Sequence, residues 1–158
     1  MSWNNYQRFE LADDNGKLII DFTKDTADNI EPLNIIDGIR ITGIRDIAAN
    51  KIRTIASRCD AKDFVDIYFM NQISGIELDS MIEKAIKKQP SLNVYTIDKG
   101  FNRFLHVYEH NRAFLNFPKV VVPFKIENFM VKIEEMSKHL STLLREEIEL
   151  DKPKLDLS

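Results

Sequence analysis

The first quarter of the chain alternates hydrophobic and polar positions with a period of two, the pattern of β-strands. The alternating segments are residues 6–11, 17–23, 33–36 and 39–42. Asn15-Gly16 separates the first two segments and Asp37-Gly38 the last two. Both dipeptides favour two-residue turns in which each central residue takes a positive φ angle. The pattern therefore predicts two β-hairpins.

In the first hairpin, one face of the second strand is apolar. Leu18, Ile20 and Phe22 share that face, so Asp21 projects from the other one. With an Asn-Gly turn, Glu10 lies directly opposite Asp21, and like charges so placed repel unless a cation or a proton intervenes. Glu10 and Asp21 are accordingly the candidate ligands for a Mg²⁺ ion.

Beyond Thr42, a predicted N-cap, the hydrophobic period changes from two to about 3.6 residues, which indicates helices. The predicted helices span about residues 43–58, 61–70, 78–89, 98–112 and 125–149, with an extended piece over 117–123. The apolar face of the first helix is predicted to contain Ile44, Ile47, Ala48, Ile52, Ile55 and Ala56. The fold class predicted is α+β, with amino-terminal hairpins that form an incomplete sheet and a helical carboxyl-terminal part.

Composition excludes several classes of protein. The 158 residues are 44% hydrophobic and 30% charged, which is typical of a globular domain and not of a disordered chain. The single cysteine, Cys59, excludes an internal disulfide and a Cys-rich zinc site. No apolar run approaches the roughly 20 residues that span a bilayer, and residues 1–10 lack a signal-peptide apolar region. We therefore predict a cytoplasmic protein without membrane contact.

Charge is distributed unevenly along the chain. The net charge of −3 argues against a protein that coats nucleic acid through bulk positive potential. Residues 40–58 nevertheless carry five basic residues against one acid, whereas residues 127–151 carry seven acids against three basic residues. The basic segment is either a phosphate-binding surface or a solvated face, and its pattern alone does not decide between them.

One lysine stands out because it lies within an apolar stripe. Lys51 follows Ile47 by four residues and precedes Ile55 by four, so it projects from the middle of the stripe. A buried ammonium is costly unless it is paired or meets an anion, although a lysine can also extend its stem to water. Asp63 and Asp66, three apart in the next helix, share one helical face and are natural partners for Lys51.

A second motif, His106-x-x-Glu109-His110, formally matches the H-x-x-E-H pattern of a zinc protease. The predicted buried face of this helix leaves both histidines on the wetter side. A catalytic zinc needs a third protein ligand, and His139 has no evident reason to converge on the pair. We therefore expect no zinc site here.

The segment from Asp46-Ile47-Ala48 through Lys51 and Arg58 to Asp63-Phe64-Val65-Asp66-Ile67-Tyr68-Phe69 resembles the AbiEii-type nucleotidyltransferase toxins of type IV toxin–antitoxin and abortive-infection systems. Ile19-Ile20-Asp21-Phe22 and Gly38-Ile39-Arg40-Ile41 look like strands of that fold, and the resemblance extends over about residues 8–145. It implies a nucleotidyltransferase-like core in residues 1–75, a helical domain in 76–150 and a loose tail in 151–158.

The resemblance also implies an activity, namely Mg²⁺-dependent transfer of a nucleotide from a nucleoside triphosphate to an RNA such as tRNA. It assigns catalytic roles to Lys51, which would meet the triphosphate, and to Asp63 and Asp66. Asp21, with Glu10, would serve the metal. The residues proposed to bind substrate phosphates are Arg40, Arg58 and Lys62.

The family's Gly-rich turn and Asp-x-Asp strand are missing ahead of Tyr6. One carboxylate cannot hold the two Mg²⁺ ions of such chemistry, so we expect the chain to be inactive alone. The open sheet edge then predicts a partner, which is an antitoxin, a chain that completes the sheet or a second copy in a homodimer. The alternative function is a non-catalytic interaction module that keeps the family fold.

Overall fold

The structure is a computed structural model, and it describes residues 6–14, 16–24, 27–115, 117 and 122–150. In this part of the chain the architecture is α+β, as predicted: two antiparallel hairpins precede five α-helices. The strands are β1 (Tyr6–Asp13), β2 (Gly16–Thr23), β3 (Asn34–Ile36) and β4 (Ile39–Ile41). The helices are α1 (Ile44–Ser57), α2 (Ala61–Ser74), α3 (Leu78–Lys88), α4 (Val94–Asn111) and α5 (Ile126–Leu150).

The first hairpin forms with a register that differs from the predicted one. Asp13 pairs with Gly16, so Arg8 lies opposite Asp21 and Glu10 lies opposite Ile19. The prediction that Glu10 faces Asp21 is therefore wrong. The observed register replaces a like-charge pair by an opposite-charge pair, and a slip of two residues leaves the apolar face unchanged because the side-chain period is two.

The second hairpin forms as predicted. Asp37 and Gly38 have φ angles of 50° and 78°, and Ile36 pairs with Ile39 across them. Each hairpin is a separate two-stranded sheet in the described residues, and such a sheet is marginally stable in isolation. The hairpins must therefore draw stability from elsewhere.

The helix limits follow recognisable capping signals. Asp60 accepts a hydrogen bond from the Lys62 amide at the start of α2, Gly75 ends that helix at φ 64°, and Asn93 opens α4 with a capping box. The N-cap of α1 is Gly43 and not Thr42 as predicted. Helix α4 begins four residues earlier than predicted because the capping box, rather than Asp98, starts it. Among the described residues, no helix is sufficiently long and apolar to cross a bilayer.

One hydrophobic core joins all five helices. Its centre is an aromatic cluster in which Phe64 of α2 stacks on Phe104 of α4 at a ring distance of 4.0 Å, while Phe129 of α5 meets Phe104 edge-on. Helix α4 also approaches α1 closely at Gly100, where a Cβ atom would lie 2.4 Å from the backbone oxygen of Ile55. Helices on both sides of residue 75 thus share the core. The division of the chain into domains at 1–75 and 76–150 stays a prediction. The predicted tail, 151–158, lies outside the described residues.

The apolar stripe of α1 is rotated relative to the prediction. Ile44 and Ile47 are exposed, whereas Asp46 and Ala49 are buried. The hydrophobic pattern predicts the wrong core-facing side at the first turn because two isoleucines there outweigh one aspartate. The rotation gives α1 two polar groups, Asp46 and Lys51, on or beside its buried side.

Candidate functional site

The predicted ion pair between α1 and α2 is present. Lys51 is three-quarters covered, and its Nζ donates a hydrogen bond of 3.0 Å to Oδ1 of Asp63. The same Nζ lies 2.5 Å from Oδ2 of Asp66, one turn further along α2. The ammonium therefore sits between two carboxylates that the i, i+3 spacing places on one helical face.

A second cation shares the buried acid. Asp63 is fully buried in the first turn of α2, and Arg58, the residue that follows α1, forks onto its carboxylate with Nε–Oδ2 at 2.8 Å and Nη2–Oδ1 at 3.2 Å. The arrangement of Lys51, Arg58, Asp63 and Asp66 is called here the α1–α2 cluster. One buried carboxylate holds both cations of the cluster in fixed positions.

Burial and pairing act in opposite directions on these groups. Burial disfavours the ionised form of Asp63, but the hydrogen bonds from Arg58 and Lys51 outweigh it and hold its pKa below the ordinary value. Burial likewise disfavours charged Lys51, yet Asp66 and Asp63 raise its pKa. Lys51 and Asp63 are therefore both charged at neutral pH.

The cluster is closed on one side and open on the other. The side chain of Asp63 is fully buried, whereas those of Asp66 and Arg58 are 42% and 50% exposed. An exposed guanidinium next to a partly exposed ammonium is an arrangement that binds phosphate or carboxylate groups. The charged side chains that solvent reaches in the cluster are therefore those of Arg58, Asp66 and, in part, Lys51.

The other predicted phosphate-binding residues lie at different distances from the cluster. Lys62 precedes Asp63 and forms an exposed ion pair of 3.3 Å with Asp60. Arg40 lies in β4 opposite Ile35, exposed to solvent, and the structure describes no bond between it and the α1–α2 cluster. Lys62 therefore flanks the cluster, whereas Arg40 belongs to the second hairpin.

Asp21 is already bonded. Its two carboxylate oxygens accept hydrogen bonds from Arg8 at 2.7 and 2.9 Å, and one of them also accepts the Tyr6 hydroxyl. These bonds, with a smaller contribution from Lys62, lower the pKa of Asp21 to about 2. Glu10 pairs with Lys17 instead.

The fit to magnesium is poor in the described part of the chain. Both carboxylate oxygens of Asp21 accept hydrogen bonds from Arg8, and Glu10 lies opposite Ile19. Among the described residues, no group of three or more His, Cys, Asp or Glu side chains is placed to hold a metal ion. A Mg²⁺ site would need carboxylates beyond these two.

The three histidines are described in two places. The rings of His106 and His110 stack on the exposed face of α4 with a centroid distance of 4.4 Å. Both histidines therefore lie on the solvent-exposed side of the helix, as predicted. His139 of α5 instead contacts Asp79 of α3 at 2.6 Å, beside a cleft of about 300 Å³. His139 thus contacts α3, and the absence of a zinc site stays a prediction.

Sequence reasoning missed a second buried ion pair. Asp46 in the first turn of α1 and Lys88 in the last turn of α3 are 0% and 1% exposed, with Nζ–Oδ1 at 2.9 Å. The Asp46 carboxylate also accepts the backbone amides of Ile30 at 2.8 Å and Glu31 at 2.9 Å. Acidic residues at the start of a helix and basic residues at its end are common on protein surfaces, because they interact favourably with the helix dipole. The sequence pattern therefore gave no indication that Asp46 and Lys88 are buried.

Burial raises the energy of the Asp46 carboxylate, but the Ile30 amide, Lys88 and the Glu31 amide together hold its pKa below the ordinary value. Since both oxygens of Asp46 accept hydrogen bonds from the protein and both side chains are buried, this pair has no open side. It is therefore a structural contact.

Comparison with known proteins informs on the fold alone. No family model matches the chain, and no curated protein does. The crystal structure of JHP933 from Helicobacter pylori is similar, with a TM-score of 0.52 at 16% sequence identity. The match covers 94% of this chain and 64% of that chain, so the present sequence spans less than two thirds of that protein's length.

Proposed function

We propose that this chain is nucleotidyltransferase-like and that the α1–α2 cluster binds the phosphates of a nucleoside triphosphate. The observation that carries the proposal is the half-open geometry of the cluster: buried Asp63 fixes Lys51 and Arg58, while their outer sides remain accessible. A surface ion pair would leave both cations free to move. Here the cations are prepositioned, so binding an anion costs little ordering entropy.

Within this proposal, each residue of the cluster has a separate task. Lys51 and Arg58 contact phosphate oxygens, and Asp63 holds both in place. Asp66, the exposed partner of Lys51, is the group that an arriving phosphate displaces, which frees its carboxylate to orient the acceptor hydroxyl. Lys62 adds positive potential at the rim of the site.

The proposal assigns no complete magnesium site to this chain. Asp21 is the carboxylate nearest to that role, since Lys62 lies within electrostatic reach of it, but Arg8 holds both its oxygens. Transfer to an RNA acceptor such as tRNA, inferred from the resemblance to the AbiEii family, would then need a chain that supplies further carboxylates. We propose an antitoxin, a sheet-completing chain or a second copy as the partner.

Calorimetric titration with inorganic tripolyphosphate tests the anion site without requiring catalysis. We expect Lys51→Met to weaken binding about tenfold or more, because a charge-assisted hydrogen bond contributes about 1.5–3 kcal/mol. Lys138→Met removes an exposed lysine of α5 and is the matched control for net charge. Equal affinity of the two variants, or no binding by the wild type, would contradict the proposal.

Transfer itself is measured with labelled nucleoside triphosphates, tRNA and Mg²⁺, with and without a candidate partner chain. Incorporation that requires the partner and disappears in Lys51→Met supports the enzymatic role. If the chain binds tripolyphosphate but incorporates no nucleotide under any of these conditions, the anion site is supported and the transferase assignment is refuted.

A non-catalytic interaction module is the second candidate function. The observation in its favour is the apolar face of the first hairpin, where Phe9, Leu11, Leu18 and Phe22 are each more than half exposed. The opposite face carries the Arg8–Asp21 and Glu10–Lys17 pairs, so the hairpin is amphipathic. An amphipathic sheet with its apolar side open is typical of a protein interface.

Light scattering at micromolar concentration, repeated with Phe22→Ser, tests this alternative. A dimer that the substitution dissociates favours self-association through the hairpin. A monomer in both proteins, together with Lys51-dependent incorporation, favours the enzyme.

A further inference from the structure

One face of α4 combines cations with flat rings. Tyr95, Lys99, Arg103, His106 and His110 follow one another at intervals of four or three residues, so their side chains project from one side of the helix. All five residues are exposed, Tyr95 to 61%. They extend over about 22 Å along the helix axis. This row of five residues is called here the α4 stripe.

The stripe passes the end of α1 that carries a residue of the α1–α2 cluster. Helix α4 lies against the last turn of α1, where a Cβ atom on Gly100 would lie 2.4 Å from the backbone oxygen of Ile55. Nη2 of Arg103 donates a hydrogen bond of 3.4 Å to that same oxygen. The preceding carbonyl, that of Thr54, accepts the amide of Arg58 at 2.8 Å. Arg103 and Arg58 are therefore bonded to consecutive carbonyl groups at one end of α1.

The stripe is basic although the net charge of the chain is −3. Lys99 and Arg103 are its two cations, and the described bond of Arg103 goes to a carbonyl oxygen and not to a carboxylate. Two acids of α4 lie at its margin. Asp98 accepts a hydrogen bond of 3.1 Å from Ser141 of α5, whereas Glu109 is 77% exposed. The exposed part of this face thus carries two cations against one acid.

The stripe also presents rings that a ligand can reach. Tyr95 is mostly exposed, and the exposed rings of His106 and His110 stack on each other at a centroid distance of 4.4 Å. Phenol and imidazole rings on a basic surface are the groups on which the unpaired bases of a single-stranded nucleic acid stack. An acidic protein partner would need the cations but not the rings.

We infer that the α4 stripe binds single-stranded RNA: Lys99 and Arg103 contact its phosphates, while Tyr95 and the two histidines stack on its bases. The choice of RNA rests on the proposed function, because a strand on the stripe lies at the end of α1 that carries Arg58 and can present a terminus to the α1–α2 cluster. Binding to the stripe does not require transfer, so its test needs no nucleoside triphosphate.

Fluorescence anisotropy with a labelled single-stranded RNA of about 12 nucleotides measures the affinity at a series of salt concentrations. Lys99→Gln with Arg103→Gln removes two phosphate contacts. We therefore expect weaker binding, and a slope of log affinity against log salt concentration that is smaller by about 1.4. Lys138→Gln with Arg145→Gln removes the same charge from two exposed residues of α5 and is the matched control, for which we expect the slope of the parent.

Stacking is tested separately at Tyr95. We expect Tyr95→Ala to weaken RNA binding about fivefold or more and to leave the salt slope unchanged, because it removes a ring but no charge. Tyr95→Phe keeps the ring and should keep the affinity. Polyglutamate carries negative charge but no bases, so Tyr95→Ala should not weaken its binding.

Equal RNA affinity of the Lys99→Gln, Arg103→Gln variant and its α5 control would overturn the inference. Equal losses of RNA and polyglutamate binding in Tyr95→Ala would do the same and would indicate an acidic protein as the partner. A parent chain that binds tripolyphosphate but no RNA refutes the stripe and keeps the proposed anion site. Stripe-dependent RNA binding by a chain that does not bind tripolyphosphate has the opposite meaning.

Circular dichroism checks that each variant is folded. If the double variant does not fold, Lys99→Gln alone makes the same test, because it leaves the bond between Arg103 and Ile55 in place. The expected decrease of the salt slope is then about 0.7. An unchanged slope in a folded Lys99→Gln chain would count against the inference.

Discussion

Two lysine–aspartate contacts anchored on α1 differ in how completely their charges are enclosed. In the Asp46–Lys88 pair both side chains are buried, and two backbone amides complete the bonding of the acid. In the α1–α2 cluster only Asp63 is fully buried, and Lys51 retains an exposed quarter. The buried Asp46–Lys88 pair is inaccessible to a ligand and has a structural role. The partly exposed α1–α2 cluster instead holds two cations in positions that a ligand can reach.

The largest expected effect comes from removing the enclosed cation. Lys88→Met leaves the Asp46 carboxylate buried without a countercharge, so we expect a loss of about 3–5 kcal/mol of unfolding free energy. Urea titration followed by circular dichroism measures it. The neighbouring exposed Lys87→Met is the control, with a change within about 0.5 kcal/mol. Equal losses in the two variants would show that the pair is not enclosed as described.

The half-open cluster is expected to be less sensitive. Asp63→Asn removes charge-assisted bonds to Lys51 and Arg58, which we expect to cost about 2 kcal/mol, because both cations still reach water and keep part of their hydration. The same urea titration measures the loss. A cost that matches or exceeds that of Lys88→Met would contradict the contrast between the two sites.

The pH dependence of stability reports on the same carboxylate, that of Asp63. The pKa of Asp63 in the folded chain is below its ordinary value of 3.8, so its contribution to stability is complete above pH 3.8 and is lost as the pH falls through the folded pKa. Asp46 acts in the same direction. Thermal unfolding at stepwise lower pH should therefore show the wild type approaching Asp63→Asn below that pH; a constant difference would refute the assignment.

The smallest effect on stability is expected at the outer edge of the cluster. Asp66→Asn breaks a pair whose acid is 42% exposed, which we expect to cost less than about 1 kcal/mol. If Asp66 competes with phosphate for Lys51, the same variant binds tripolyphosphate more tightly than the wild type. Weaker binding would mean that Asp66 supports the anion site and does not compete for it.

Local patterns predicted most of the elements and one long-range contact. The change of hydrophobic period located the hairpins and the helices, since periodicity reports which side of an element is buried. Lys51 within an apolar stripe, followed by two acids on one helical face, was sufficient to predict the ion pair. That ion pair is confirmed, whereas the catalytic and magnesium roles of these residues stay predictions.

The errors share a physical cause. The Asn15-Gly16 turn signal gave a register in which Glu10 faces Asp21, but the pairing of Arg8 with Asp21 is set by both strands together. The start of α1 was read from its isoleucines, which are exposed, because the partners of Asp46 lie 16 and 42 residues away. No local window contains such partners.

Hydrophobic period and residue spacing were sufficient to predict the α+β class, the order of the elements and a charged contact between the first two helices. The packing of distant segments sets which carboxylates are buried, which strand residues face each other and which cluster side chains remain exposed. Periodicity is a property of neighbouring residues, but the cost of burying a charge depends on every donor that surrounds it, and those donors are assembled only when distant segments pack.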